Sequence, residues 1–361
     1  MAATRRAFLA TVAASTLRAE QGHFPSEWKR YPDPATEFDV IRLTDPAHSS
    51  YMPAYYNRAL GHRGGFLLFA SDRTGSKQAF RMDLHSGECR QLTQAEALDV
   101  ESLTLTQDER TICFFDGASL RQHGLSGQRD REVYRVSEGW TRSAGATVTG
   151  DGISAVFTEV KEKSSRVRLI GLLKPGATTV VETAFPASYP APRPKRAQIL
   201  YRQGDDALWL VNLDGAQNRR LKTAPDGKIG PAFWAPNGRT ILYLHIPDDK
   251  TQLVAIREHT PDENADKMIS PTSQFAHFGA NSDASVFVGA SRNKASPHIL
   301  ILLRVTRREL TLCEHRSTDP LSVAPHFSAD SQQVFFQSDR DGRPALYRVQ
   351  VERFVEKTEE Q

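Results

Sequence analysis

One pattern recurs seven times along the chain and leaves few folds open to it. Residues 66–93 (FLLFASDRTGSKQAFRMDLHSGECRQLT) hold a short apolar run at 66–69 and a polar turn at 71–75. An alternating segment at 78–84, a second turn through His85, Ser86 and Gly87, and a closing segment at 89–93 follow. Strand, turn, strand, turn, strand within about 30 residues is the signature of one antiparallel blade. The apolar run returns at 111–115 (TICFF), 154–157 (SAVF), 198–201 (QILY), 240–243 (TILY), 285–288 (SVFV) and 333–336 (QVFF). The interval stays near 42–48 residues, close to the period of a four-stranded propeller blade. Polar turns precede most runs, at 106–110 (TQDER), 149–152 (TGDG), 235–239 (APNGR), 281–284 (NSDA) and 328–331 (SADS); Asp, Asn and Gly tolerate the tight backbone such turns need. A β-sandwich also strings apolar runs between turns, but near-equal intervals favour a ring.

The predicted fold is therefore all-β, a seven-bladed β-propeller of four-stranded blades. The last blade has segments near 322–327, 333–338 and 345–350 and a weak fourth strand, whereas 39–44 (DVIRLT) matches the outer segment 90–93 (RQLT) of the first blade. This N-terminal strand is expected to pair with the last blade through Ile41 and Leu43 and so close the ring, removing exposed edges. Residues 21–361 would then form a single domain. Two stretches do not read as regular blade: 189–196 (YPAPRPKR), an extended Pro-rich crossing with a surface cluster of Arg and Lys, and 257–267 (REHTPDENADK), a polar excursion.

Charge and cysteine content exclude some roles. Lys and Arg number 46 against 43 acids, a net +3, too small an excess for a nucleic-acid binder, and no basic stretch is interleaved with aromatics. A slight basic skew still helps to draw an acidic ligand. Cys89, Cys113 and Cys313 show neither C-x-x-C nor zinc spacing, and Cys89 and Cys113 read as buried free thiols. At the N-terminus, Arg5 and Arg6 precede an apolar stretch of about ten residues, too short to span a bilayer. Residues 1–20 read as a twin-arginine-type signal, placing the mature protein in the periplasm or outside the cell; an ordinary amphipathic start is the alternative. No second stretch of membrane length follows.

In a propeller the innermost strands line the axial channel, so 48–58 (HSSYMPAYYNR) is the first place to look for a site. Tyr55, Tyr56 and Arg58, with Tyr51 and Asn57 nearby, are the expected substrate-binding residues: the rings stack on a sugar and the arginine pairs with a carboxylate. Packing between blades is the competing role for these tyrosines. His277 falls where the sixth inner strand meets its turn, and His326 stands in the seventh blade. His326 and His315 of the same blade have no partner at clear metal-ligand spacing, and a lone histidine such as His277 more often serves packing.

Several segments together carry a family resemblance: Arg42 to Asp45 (RLTD), 66–93, 208–215 (LWLVNLDG), Phe233-Trp234 and 276–283 (AHFGANSD). From about 39 to 354 the chain resembles the oligogalacturonate lyases. More distantly, Ser71-Asp72-Arg73 and Ser338-Asp339-Arg340 resemble the repeats of the periplasmic TolB propeller. The resemblance implies a seven-bladed propeller that cleaves pectin-derived oligogalacturonates by β-elimination. A base removes the proton beside the uronate carboxylate, manganese neutralises that carboxylate, and an arginine assists. Carried over residue by residue, the set thins. Pro231 stands where the base histidine is implied, and Ala207 where the arginine is implied. His277 matches one metal ligand. The implied Gln and two His fall at Asp319, Ser322 and Ala324, with His326 displaced along the strand; His277 and His326 are thus the expected metal ligands. Three functions remain open to such a chain: a uronate-acting lyase with a rearranged site and no assigned catalytic residue, a sugar-binding propeller without turnover, and a TolB-like protein-interaction propeller.

Overall fold

Alternation along the second strand of each blade decides the architecture. In Phe66–Ser71, Phe66, Leu68 and Ala70 face one neighbouring blade while Leu67 and Phe69 face the other. In Gln198–Gln203, Leu200 turns to one side and Ile199 and Tyr201 to the other. A strand buried on both faces needs apolar residues at every position, and these runs supply them. The computed structural model, which describes residues 22–62, 65–126 and 130–357, accordingly holds seven antiparallel sheets and seven apolar clusters, one in each interface between adjacent blades. The chain is a seven-bladed β-propeller with no helix among the described residues.

The innermost strands are Ser50–Tyr51, Leu98–Leu105, Thr141–Val148, Ala187–Pro192, Lys228–Trp234, Phe275–Ala280 and His326–Phe327, in blade order. Three of the polar turns that follow them, in blades two, three and seven, share one device. Thr106 Oγ1 donates to Asp108 (2.7 Å), Thr149 Oγ1 to Asp151 (2.5 Å) and Ser328 Oγ to Asp330 (2.7 Å), each fixing a tight turn into the second strand.

Ring closure follows the expected route. Asp39–Arg42 pairs antiparallel with Ala345–Gln350, setting Val40 opposite Val349 and Ile41 opposite Arg348. The Leu43 N–H donates to the Leu346 carbonyl at 2.7 Å. Val40 is buried in the seam between blades six and seven, and Leu43 in the seam between seven and one.

Three expectations are corrected. Blades one and seven carry a fifth, outermost strand beyond the expected four, His23–Phe24 and Lys29–Pro32, because the N-terminal arm continues both ladders. Residues 257–267 are no excursion but the hairpin of Ala255–Thr260 and Ala265–Pro271; its charges are satisfied in place by Arg257–Asp266, Lys267–Glu258 and Arg304–Glu258 pairs. The Pro-rich stretch 189–196 holds the end of blade four's inner strand, and Arg193 is buried rather than on the surface, paired with Asp262 and lying 4.9 Å from the Trp234 ring. All three cysteines are free and buried. The signal expected at 1–20 lies outside the described residues, within which no helix is long and apolar enough to cross a membrane.

Candidate functional site

On the face where the inner strands begin, the axial channel widens into a cavity of ≈ 500 Å³. Tyr51 and Lys77 line it from blade one, Val100 and Glu101 from blade two, Tyr189 and Arg202 from blade four, and Gly230 and Pro231 from blade five. His277 contributes from blade six, and Leu321, Ser322, Ala324 and Gln337 from blade seven. Tyr55 and Tyr56 also line it, from the segment that follows the short inner strand of blade one.

That segment leaves the sheet for reasons legible in its bonding. Pro53 carries no N–H for a ladder, and the Met52 N–H is taken by Gln337 Oε1 of blade seven at 3.1 Å. The Asn57 N–H closes a turn onto the Ala54 carbonyl (2.8 Å). Asn57 Nδ2 then donates to the Glu101 and Ala146 carbonyls at 2.7 and 2.9 Å, pinning the segment to blades two and three. The two tyrosines between these anchors line the cavity, with the Tyr55 hydroxyl donating to the Ala232 carbonyl at 3.4 Å. The Tyr55 ring meets His277 edge-on at 4.8 Å and Tyr56 at 5.0 Å, and Tyr56 meets Tyr189 at 6.0 Å. The Arg202 guanidinium lies 5.3 Å from the Tyr189 ring. A chain of rings thus runs from His277 to Arg202 along one wall.

Tyr189 is held under strain. Its φ is +50°, within a bulge of the inner strand of blade four, a conformation that costs about 1–3 kcal/mol and persists only where its surroundings impose it. The opposing inner strand of blade three presents Gly145, φ +91°, where a Cβ would stand 2.5 Å from Tyr189 Cα. Only glycine permits that approach.

Burial sets the protonation states. It holds the His277 pKa down to about 3, aided by the neighbouring His326, so the imidazole is neutral near neutral pH. His277 Nδ1 is buried with no hydrogen-bond partner. His326 is likewise held down by burial, with Nδ1 donating to the Ala324 carbonyl at 2.5 Å. Burial raises the phenol pKa of Tyr55, Tyr56 and Tyr189, keeping all three protonated. The Tyr56 hydroxyl is buried without a partner.

The structure brings Tyr55, Tyr56 and His277 together at the cavity and sets His326 beside His277. Arg58 lies elsewhere. It is ion-paired with Glu109 and bonded to the Leu60 and Gln107 carbonyls. Gln107 follows the cavity residue Glu101 by six residues of blade two's inner strand and turn, about 20 Å of extended chain. Sequence reasoning missed Tyr189, Arg202, Glu101, Lys77 and Gln337. Arg202 occupies a strand interior whose neighbours face blade interfaces, so nothing in its local pattern marks an axial role.

The donor set does not fit manganese. Among the described residues no group of three or more His, Cys, Asp or Glu side chains converges as a metal shell requires. Asp319 turns its carboxylate to the Leu321 N–H, Ser322 donates to the Asp319 carbonyl, and Ala324 has no donor atom. Of the implied set of three imidazoles and a Gln, two imidazoles remain, His277 and His326, too few for a metal shell.

No protein-family model matches the chain. It is 22% identical over 92% of its length to the oligogalacturonide lyase of Pectobacterium atrosepticum, covering 98% of that protein. It is 23% identical over 89% of its length to the oligogalacturonate lyase of Dickeya dadantii, covering 95% of it. Its fold superposes with a TM-score of 0.86, at 21% identity and covering 91% of this chain and 98% of the other, on an oligogalacturonate lyase solved in complex with manganese. The chain is a seven-bladed propeller that is similar over about nine-tenths of its length to oligogalacturonate lyases and shares their fold.

Proposed function

We propose that this protein is an exported, carbohydrate-acting propeller of the oligogalacturonate lyase type, with short uronate oligosaccharides as its ligand and β-elimination as its reaction class. The observation that carries the reading is the axial cavity itself: tyrosine walls shaped for a sugar, a neutral His277 and the cations Arg202 and Lys77 in one ≈ 500 Å³ space. Aromatic faces take the apolar faces of sugar rings, and the cations take the carboxylates. Export rests on Arg5, Arg6 and the apolar stretch behind them; cell fractionation of the wild type and of Arg6→Lys tests it, with loss of export in the variant expected.

The elimination is written with the residues this chain has. The proton beside the carboxylate goes to His277, its electron pair forms the new C=C bond, the adjacent C–O bond breaks, and the leaving oxygen takes a proton from the Tyr56 hydroxyl; after product leaves, His277 gives its proton to solvent and the Tyr56 phenolate takes one back. No step runs through manganese. A histidine held near pKa 3 is a weak acceptor, and the arriving carboxylate strengthens it by favouring the charged imidazole.

A second reading, sugar binding without turnover, is favoured by Pro231 and Ala207 standing at the positions the resemblance assigns to base and arginine. Losing such groups costs many orders of magnitude in rate. Calorimetric titration of tri-galacturonate, with ultraviolet absorbance of the unsaturated product followed on the same sample, decides between them. Saturable heat with rising absorbance supports elimination. Saturable heat alone supports the second reading, and no heat removes both.

A further inference from the structure

Arg202 carries a feature that the rest of the structure interprets. Its Nε and Nη2 are buried and have no hydrogen-bond partner. These two donors share one edge of the guanidinium, the edge that grips a carboxylate with two parallel bonds. This protein uses the same edge elsewhere. Arg121 holds Asp130 through Nε (3.2 Å) and Nη2 (2.8 Å), and Arg135 holds Glu132 through the same atoms (3.3 and 2.8 Å), one bond to each carboxylate oxygen; Arg257 turns the same two donors onto a single oxygen, Oδ2 of Asp266. At Arg202 the edge is made ready and no acid fills it.

The acids nearest in sequence are engaged elsewhere. Asp205 pairs with Lys228 and Asp206 with Arg220. Buried charged donors left unpaired are costly, and such groups in native proteins call for an explanation, an unplaced ligand among them. The guanidinium is fixed in place over the Tyr189 ring at 5.3 Å, and the Tyr189 backbone is in turn fixed against Gly145. Preorganisation of this kind favours a receptor over a mobile surface arginine.

We propose that Arg202, through its Nε and Nη2 edge, is the carboxylate receptor of this cavity, and that uronate binding here needs no divalent cation. The inference rests on the uronate reading above and extends it. The positive charge that neutralises the carboxylate comes from the protein's own strand, Gln198–Gln203, in place of a metal whose donor set the described residues do not assemble.

The test is a set of calorimetric titrations of the full-length mature protein. Tri-galacturonate is titrated with excess chelator and with added manganese, and a neutral galactose trisaccharide serves as comparator. The proposal expects the acidic affinity to be the same within about twofold in both buffers. It expects Arg202→Lys, which keeps the charge and loses the fork, to weaken the acidic sugar at least about tenfold, and Arg202→Gln to weaken it further. The neutral sugar should bind all three proteins alike, an outcome that a merely structural role for Arg202 would not give. Loss of binding in chelator, an unchanged acidic affinity in Arg202→Gln, or equal losses for both sugars would overturn the proposal while leaving the uronate reading in place. Absence of binding by the wild type in either buffer would remove the uronate reading and this inference together.

Discussion

Gly145→Ala tests how the fold builds the cavity wall. The residue has φ +91°, and a Cβ there would stand 2.5 Å from Tyr189 Cα, 2.8 Å from Tyr189 N and 3.0 Å from Pro190 Cδ. Two terms add. An L-residue at this left-handed φ costs about 1–2 kcal/mol. The clash is with backbone, which cannot rotate away as a side-chain tip does, and such overpacking costs about 1–3 kcal/mol. The sum is roughly 2–5 kcal/mol. It falls on the contact between the inner strands of blades three and four, so relief requires Tyr189 to retreat from Tyr56 and Arg202. Equilibrium urea unfolding should show the loss of stability, and tri-galacturonate titration should show affinity reduced at least about tenfold, about 1.4 kcal/mol. Gly150→Ala, where a Cβ meets nothing within 4 Å, is the control for glycine loss alone. A Gly145→Ala protein within about 0.5 kcal/mol of wild type and with unaltered affinity would show that Tyr189 is not held by this contact.

Further outcomes follow from the same structure. His277 has a folded pKa near 3 against an ordinary 6.5; it is neutral when folded, so its stabilising effect is complete above about 6.5 and is lost as pH falls towards 3, at about 1.4 kcal/mol per pH unit, and His326, held down by burial, adds to the loss in the same direction. Thermal unfolding against pH should show a shallower acid slope for His277→Gln, and an unchanged slope would contradict the assignment. Val40→Asp would bury an unpaired carboxylate in the closing seam, where Val40 is fully buried opposite Val349; several kcal/mol should be lost, with limited proteolysis releasing the N-terminal arm before the central blades. Arg73, 2% exposed, grips Glu27 with two bonds and lies against Phe24, Phe69 and Phe80; Arg73→Ala should cost about 3–5 kcal/mol by stranding that arm, and a loss under 1 kcal/mol would count against a structural role for the arm. A thiol reagent should label none of Cys89, Cys113 and Cys313 in the native protein and all three in urea, because burial raises each thiol pKa.

The ring was legible in the sequence because its physics is periodic. Apolar runs recur at near-equal intervals, and Asp-bearing turns of the kind at Thr106 and Thr149 precede several of them. Ile41 and Leu43 were legible because they repeat the fourth-strand pattern of blade one. Regularity at 257–267 was hidden, since cross-strand ion pairs such as Arg257–Asp266 let a charged segment form strands. Arg193 read as surface because its partner Asp262 lies 69 residues on. The cavity was half legible. His277 sits on an inner strand, and Tyr55 and Tyr56 directly follow one, so the innermost segments of the sequence pointed to all three. Arg202 lies on a second strand and Tyr189 in a strained bulge created by a glycine from another blade, and neither placement leaves a local mark. Arg58 shows the converse: one residue type in the right segment, carried past the cavity by the descent of the chain to Glu109.

The most direct measurement is a crystal structure of the protein soaked with tri-galacturonate. The account predicts the sugar in the axial cavity, its rings against Tyr55 and Tyr189 and one carboxylate on Nε and Nη2 of Arg202. A sugar bound at another face, or a cavity empty at saturating ligand, would contradict it.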